Sequence, residues 1–294
     1  FIISRGPIGG DINLTSIIIQ KIQKALPETE IILVGGNTTV LKEIFAGVIL
    51  ENNFIEISFD REAILEEQIK GGCSIFNRLK EKGFSEEDSI VIDPSSHILK
   101  HGLIPLIPSD KNYYYFTMTA PANHSLGERV NEWLDGVFGL KEEIYSKVYV
   151  AKENFIFAED FYTRFNLRGK LVVIMNFGVR GDYSKALTIE FEIKLIQSLI
   201  KEKAVVILDR GWGQKETERT ERILDGLKKS NANVFEVDIT EDIPTQNLPE
   251  NPGLLVVRYA KIGRFAGLVS KASLYIGYDS MGQHLAGSLG KSAV

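Results

Sequence analysis

The residues best suited to chemistry stand near the end of the chain, in YDSMGQHLAGSLG, residues 278–290. Asp279, Ser280 and His284 follow an apolar strand, and a helix of small residues is predicted to begin near Gly282. Backbone N–H groups at the start of such a helix can bind an anion. Asp279 could accept hydrogen bonds from sugar hydroxyls, and His284 could reach the same place. Taken alone, Asp279 can equally be a helix cap and His284 an ordinary helical residue.

A glycine-rich turn near the start of the chain is a second candidate. SRGPIGGDINLTS follows an apolar strand, and Gly9 and Gly10 allow the backbone to turn and approach a ligand. Asp11 begins the next helix, where a carboxylate stays ionised and can act as a general base for a hydroxyl group. An Asp at this place is also a common N-cap. The loop matches neither G-x-G-x-x-G nor a Walker motif, so nucleotide binding at this turn is not indicated.

Two loops in the second half carry charged residues directly after strands. NFGVRGDYSKAL turns at Gly178 and contains Arg180 and Lys185, two cations that could bind phosphate oxygens. In LDRGWGQKETERTER, Glu216 opens a helix after a Gly-Trp-Gly turn. Glu216 could bind sugar hydroxyls, but the helix dipole alone also favours an acid there. The two cations could likewise belong to an ordinary solvated loop.

Length and composition define the kind of protein that must position these residues. The chain has 294 residues, which is enough for two domains. Hydrophobic residues make up 44% of the chain and charged residues 25%, as in soluble globular proteins. A net charge of −5 excludes a chain-wide attraction to nucleic acid. No apolar run reaches the roughly 20 residues that span a bilayer. The single cysteine, Cys73, can form neither an internal disulfide nor a thiolate metal cage, which favours the cytoplasm.

Short apolar runs alternate with stretches of helical period, which is typical of parallel sheets covered by helices. The alternation restarts near residue 170, after a stretch rich in aromatic and charged residues. We therefore expect an α/β protein with two Rossmann-like domains facing each other, residues 1–166 and 167–294, that bind ligands beyond the carboxyl ends of strands. The chain begins with Phe, and its last four residues, KSAV, resemble the start of a strand, so we expect its C-terminal end to be missing.

Three motifs in order resemble glycosyltransferase family nine, the ADP-heptose:lipopolysaccharide heptosyltransferase family. They are GGDINLTSIIIQKIQKALPETEIILV near the start, the lysine-bearing glycine loop, and DSMGQHLAGSLG near the end. The resemblance spans most of the chain and is strongest at both ends. It implies the GT-B fold and an inverting transferase without metal or cofactor that uses a nucleotide-diphosphate sugar, ADP-linked in this family. The chain also lacks an Asp-x-Asp metal motif.

The family pattern, carried over by position, implies a role for each candidate. Asp11 falls on the base that deprotonates the acceptor hydroxyl, and Lys185 on the lysine that neutralises the donor diphosphate. Glu216, after a one-residue gap, lies near an acid that contacts the ribose. The other residues expected in the donor site or substrate loops are Asp279, Ser280, Gly282, His284, Arg180, Gly9, Gly10 and Gly178.

Two departures from that pattern leave alternatives open. Met281 stands where the family usually has Gly, and Leu187 where it often has an aromatic residue, which puts the donor base and sugar in question. Both departures favour an alternative, a non-catalytic GT-B-like protein that binds a nucleotide sugar. A nucleotide-sugar epimerase is a further alternative.

The resemblance also implies partners and location. The acceptor would be a glycan or a glycolipid such as lipopolysaccharide, in cell-envelope biosynthesis, and residues 93–108 could line its side of the site. We expect a cytoplasmic protein, compatible with peripheral contact with the inner membrane surface, and no nucleic-acid partner.

Overall fold

The chain forms two compact units, Phe1–Tyr149 and Val150–Val294. In this computed structural model the described residues are 1–4, 10–36, 38–56, 73–74, 76–85, 87–94, 112–114, 123–179, 183–230, 232–240, 243, 253–258 and 261–294. Each unit contains a five-stranded sheet whose paired strands are all parallel. The expected α/β class with two parallel-sheet domains is therefore confirmed.

The first unit contains a sheet whose first strand lies in the centre, with later strands added on both sides of it. Its strands are β1 (Ile2–Ser4), β2 (Leu33–Gly35), β3 (Phe54–Glu56), β4 (Val91–Asp93) and β5 (Asn112–Tyr114). Its helices include α1 (Gly10–Ala25), α2 (Thr38–Phe45) and α3 (Leu126–Phe138). The strand order is β3-β2-β1-β4-β5. The chain adds β2 and β3 on one side of β1 and then β4 and β5 on the other side. The topological switch point, where this direction reverses, therefore lies between β1 and β4.

The second unit is also built on a parallel five-stranded sheet, but its strand order differs. Its strands are β6 (Val172–Asn176), β7 (Val205–Asp209), β8 (Val234–Asp238), β9 (Leu254–Arg258) and β10 (Leu274–Gly277). Its helices include α4 (Lys152–Arg164), α5 (Ile189–Lys201), α6 (Gln214–Lys229), α7 (Ile262–Lys271) and α8 (Met281–Ser288). The order β10-β6-β7-β9-β8 places the switch point between β6 and β10.

The central strands read as continuous apolar runs because they are buried on both faces. VVILD in β7 is buried throughout, and VVIM in β6 is buried up to its final Asn176. Strands of a parallel sheet have this composition because helices cover both sides. Their side chains form a core with the inner faces of α5 and α6, including Val173, Val206, Ile196 and Leu227.

The division between the units falls earlier than the expected 166/167, between Tyr149 and Val150. The stretch expected to separate the domains contains α4, which packs on α7. A Cβ atom on Gly267 of α7 would lie 2.3 Å from the carbonyl oxygen of Asn154, and Tyr162 Oη donates a hydrogen bond to Leu268 O at 3.3 Å. Aromatic and charged residues alternate irregularly in KENFIFAEDFYTR, which hides the period of the helix.

Most other expected elements are present at the expected places. The long helix expected after β3 lies largely outside the described residues, although residues 76–81 are helical. The helix α8 begins at Met281 rather than at Gly282. In the described part of the chain, every helix is too short or too polar to cross a membrane.

Candidate functional site

The predicted phosphate-binding residues leave the second sheet on either side of its switch point. Gly178 and Lys185 follow β6, and Asp279 follows β10, which pairs directly with β6. Neighbouring strands lie about 4.8 Å apart, so the two segments start side by side at the carboxyl edge. Ligands of open α/β sheets bind at this position.

The N-terminus of α8 is suited to binding an anion. Ser280 is the N-cap residue, yet its side chain makes no capping hydrogen bond to the first turn. The backbone N–H groups at the start of a helix have no partner within the helix, and the helix dipole adds positive potential there. A phosphate group placed at Ser280 to Gly282 would accept hydrogen bonds from these N–H groups, and its negative charge would be stabilised by the helix dipole.

Asp279 and His284 lie together beside this helix terminus, as expected. His284 Nε2 is 3.3 Å from Asp279 Oδ1, and the Asp279 side chain is 78% exposed. The N-cap is Ser280, so Asp279 is not the helix cap that one interpretation of the sequence proposed. An exposed carboxylate beside an imidazole can accept hydrogen bonds from ligand hydroxyls.

Gly282 allows α8 to approach the sheet closely. A Cβ atom at this position would lie 2.1 Å from Tyr275 Oη and 2.7 Å from Tyr275 Cζ. Tyr275 is fully buried in β10, and burial, followed by the charge of Asp209, raises the pKa of its hydroxyl. The ring is therefore a neutral support for the first turn of the helix, and the glycine is required by contact rather than by its backbone angle.

Glu216 faces the loop after β6 and also closes its own turn. Its Oε2 accepts a hydrogen bond from Trp212 N at 3.0 Å, and a Cβ atom on Gly178 would lie 2.6 Å from its Oε1. The first contact supports the structural interpretation of this acid. A carboxylate can accept about four hydrogen bonds, however, so the half-buried group retains capacity for a ligand hydroxyl.

A buried polar pair beneath these loops was not predicted from the sequence. Asn176 Nδ2 donates a hydrogen bond to Asp209 Oδ2 at 2.6 Å, and Asn176 Oδ1 accepts one from Gly178 N at 2.8 Å. Burial raises the pKa of Asp209 to about 6; the bond from Asn176 opposes the rise, and the charge of Glu216 adds to it. A polar residue at the end of each apolar run, VVIMN and VVILD, was the available signal.

Lys185 is an exposed residue on a segment that is anchored close by. It ends the short 3₁₀ helix Tyr183–Lys185. Two residues later, Leu187 N donates a hydrogen bond of 2.9 Å to the hydroxyl of Tyr278, the residue directly before Asp279. The structure therefore ties the lysine-bearing segment to the Asp279 segment. Arg180 lies outside the described residues.

Asp11 occupies the first turn of α1 in the first unit, at the carboxyl edge of that unit's sheet. It is the second residue of the helix and is half-buried. A carboxylate in a first helical turn is stabilised in its ionised form by the helix dipole. Gly10 is the first residue of the helix, whereas Gly9 lies outside the described residues.

Together, the described residues offer an anion site and acceptors for hydroxyl groups in the second unit, and an ionisable base in the first. Within the described ranges, we find no group of three or more His, Cys, Asp or Glu side chains that could hold a metal ion.

Comparison with known proteins identifies the fold. No protein-family model and no curated protein matches the sequence. A glycosyltransferase family 9 structure from Veillonella parvula is 15% identical over 99% of this chain and 78% of its own, with a TM-score of 0.66. The E. coli ADP-heptose lipopolysaccharide heptosyltransferase II is 15% identical over 99% and 83%, with a TM-score of 0.65. The E. coli heptosyltransferase WaaC with ADP is 16% identical over 99% and 84%, with a TM-score of 0.60. The chain thus has the fold of these glycosyltransferases, the GT-B fold that its three ordered motifs led us to expect.

Proposed function

We propose that the protein is an inverting, metal-independent glycosyltransferase that moves a sugar from a nucleotide-diphosphate sugar to a glycan or lipopolysaccharide acceptor. A shared fold alone does not specify a reaction, so the proposal depends on the site. The observation that carries it is the placement of Lys185 and the N-terminus of α8 on segments that follow paired strands at the switch point. A cation and a set of backbone N–H groups are what a diphosphate requires.

The second unit would bind the donor. Lys185 and the N–H groups from Ser280 to Gly282 would stabilise the charge that develops on the departing nucleoside diphosphate. Asp279, beside His284, would accept hydroxyls of the sugar, and Glu216 would accept those of the ribose. Because a neighbouring structure contains ADP, an ADP-linked sugar is the first donor to test.

The transfer itself would be a single displacement. The acceptor oxygen attacks the anomeric carbon while the bond from that carbon to the diphosphate oxygen breaks, and the departing diphosphate keeps the electron pair. Asp11 takes the proton of the acceptor hydroxyl as general base. A single displacement inverts the configuration at the anomeric carbon, and the reaction as written consumes no cofactor.

The reaction would take place in the cytoplasm, at the inner membrane surface when the acceptor carries a lipid. The single cysteine supports the cytoplasmic location.

Substitution of Asp11 by Asn tests the assignment of the base. The amide cannot take a proton, so Asp11→Asn should lower the rate of transfer about a hundredfold to ten-thousandfold while nucleotide affinity stays the same. Released nucleotide and calorimetric titration measure the two effects. Asp88→Asn, an exposed residue of the same unit, is the matched control. Full turnover by Asp11→Asn would rule out this mechanism.

Three assays separate transfer from the alternatives. A thermal-shift panel of nucleotide sugars identifies the donor, since specific binding raises the melting temperature by mass action. The bound donor is then incubated with and without acceptor. Release of nucleotide that requires acceptor supports transfer, conversion of the sugar without acceptor indicates an epimerase, and binding without either indicates a non-catalytic protein.

A further inference from the structure

Three side chains form a buried network between the segments that carry the donor-binding candidates. Glu192 of α5 is completely buried, and Arg219 of α6 has a side chain that is only 13% exposed. Arg219 Nε lies 3.2 and 3.1 Å from the two carboxylate oxygens, and its Nη2 lies 2.8 Å from Oε1. A carboxylate removed from water is tolerated when a cation and hydrogen bonds compensate it in this way.

Tyr278 adds the third member. Its hydroxyl donates a hydrogen bond to Glu192 Oε1 and accepts one from Leu187 N at 2.9 Å. Its half-buried ring packs against Phe177, with ring centroids 5.8 Å apart. Burial, together with the bond to Glu192, raises the pKa of Tyr278 to about 12. The hydroxyl therefore stays protonated at neutral pH and can serve as donor and acceptor at once.

The network binds both backbone groups of one residue. Leu187 N donates to Tyr278, and Leu187 O accepts a hydrogen bond from Arg219 Nη2. Leu187 lies two residues after Lys185, and Tyr278 lies directly before Asp279. The hydroxyl of Tyr278 thus joins the end of the lysine segment to the beginning of the Asp279 segment.

We propose that Tyr278, oriented by Glu192 and Arg219, is a positioning residue that holds the Lys185 segment beside the N-terminus of α8, so that both bind one diphosphate group. This inference rests on the proposed function of the same site. Holding the two segments in place before binding reduces the ordering that a ligand must impose, which strengthens its affinity.

The variant Tyr278→Phe tests the proposal, because it removes both hydrogen bonds and keeps the ring that packs on Phe177. ADP, GDP, UDP and CDP are each titrated by calorimetry into the full chain, and the diphosphate that binds most tightly is used as the probe. Tyr278→Phe should bind it about tenfold more weakly, the change that about 1.4 kcal/mol produces. In a Lys185→Ala background the same substitution should have almost no effect, because no cation remains to be positioned.

A matched control separates positioning from general stability. Tyr162 is a second tyrosine of the same unit and is buried, and its hydroxyl donates a hydrogen bond to the backbone of α7. Tyr162→Phe removes that bond. The control should lose thermal stability without losing nucleotide affinity. Unchanged affinity of Tyr278→Phe, equal losses in Tyr278→Phe and Tyr162→Phe, or losses that simply add with Lys185→Ala would overturn the inference.

Failure of the proposed function would look different. If no diphosphate binds, or if Lys185→Ala alone leaves affinity unchanged, the donor role of Lys185 is refuted, and the positioning role of Tyr278 falls with it.

Discussion

The carboxyl group of Asp209 shows how burial alters a single residue at the carboxyl edge of the second sheet. Its pKa rises from 3.8 to about 6, chiefly because the charged form is removed from water. At 1.36 kcal/mol per pKa unit, this difference opposes folding by roughly 3 kcal/mol when the group is ionised in both states. The destabilisation is fully present above pH 6 and disappears as the pH falls below 3.8, where the carboxyl group is protonated in both states.

Replacing Asp209 by Asn should therefore stabilise the protein in a pH-dependent way. The amide cannot ionise, and its oxygen can still accept the hydrogen bond from Asn176, although its NH2 group cannot accept the longer bond of 3.4 Å that Gly211 N donates to Asp209 Oδ1. We expect a higher melting temperature than the wild type at pH 8, an advantage that shrinks below pH 6 and is small near pH 4. Thermal unfolding over this range measures it, with the exposed Asp225→Asn of α6 as control. An equal advantage at pH 8 and pH 4 would contradict this explanation.

At the scale of elements, α1 serves both the core and the segment that leads out of the first unit. Its apolar face, including Ile12 and Ile19, is buried. Its polar side contacts residues 142–147: Ser16 Oγ donates to Lys147 O and accepts from Lys147 N, each at 2.6 Å. Lys21, completely buried, pairs with Asp135 of α3 and with the carbonyl of Glu142. The helix that carries Asp11 is thereby fixed by both of its faces.

Loss of the buried amine should destabilise the first unit strongly. Lys21→Met keeps most of the side-chain volume but leaves the Asp135 carboxylate without its cation, so we expect a loss of about 3 kcal/mol in urea unfolding. Lys24→Met is the matched control, because Lys24 pairs with Glu142 through side chains that are 47% and 55% exposed. That control should change stability by less than about 1 kcal/mol. If both substitutions lowered the free energy of unfolding equally, the burial of the Lys21–Asp135 pair would not explain the loss.

Sequence periodicity predicted the elements far better than their arrangement. Apolar runs such as VVILD are recognisable because both faces of a central strand are covered. Asp279 and His284 are five residues apart on either side of the start of α8, and they were predicted to lie together because their proximity is local. Asn176 with Asp209, and Tyr278 with Leu187, were missed because each pair meets across strands or segments whose order the sequence does not reveal.

At the scale of the whole molecule, two units with separate sheets and cores imply separate folding. One core contains Val34, Ile55 and Val91, and the other contains Val173, Val206 and Leu254. Units that bury their own apolar interiors can in principle fold alone. The domain boundary could not be predicted well, since α4 lacks a clear apolar period although it belongs to the second unit.

Two fragments test this boundary. Residues 150–294 should unfold cooperatively on heating and bind a nucleoside diphosphate, because they include α4 and its contacts with α7. Residues 167–294, which begin at the boundary expected from the sequence, would expose the surface of α7 where Asn154 and Tyr162 pack, and should fail to fold. Circular dichroism and calorimetry measure both properties. Cooperative unfolding of the shorter fragment would show that α4 is dispensable.

The anchoring of Leu187 through its backbone has a consequence for natural variation. Tyr278 and Arg219 hydrogen-bond its N–H and C=O groups, while the residue is 51% exposed. Every amino acid except proline supplies the same two groups, so evolution can exchange the side chain at position 187 without loosening the neighbouring lysine. Homologues can thereby vary the exposed side chain at this position while Tyr278 and Arg219, which hold its backbone, stay the same.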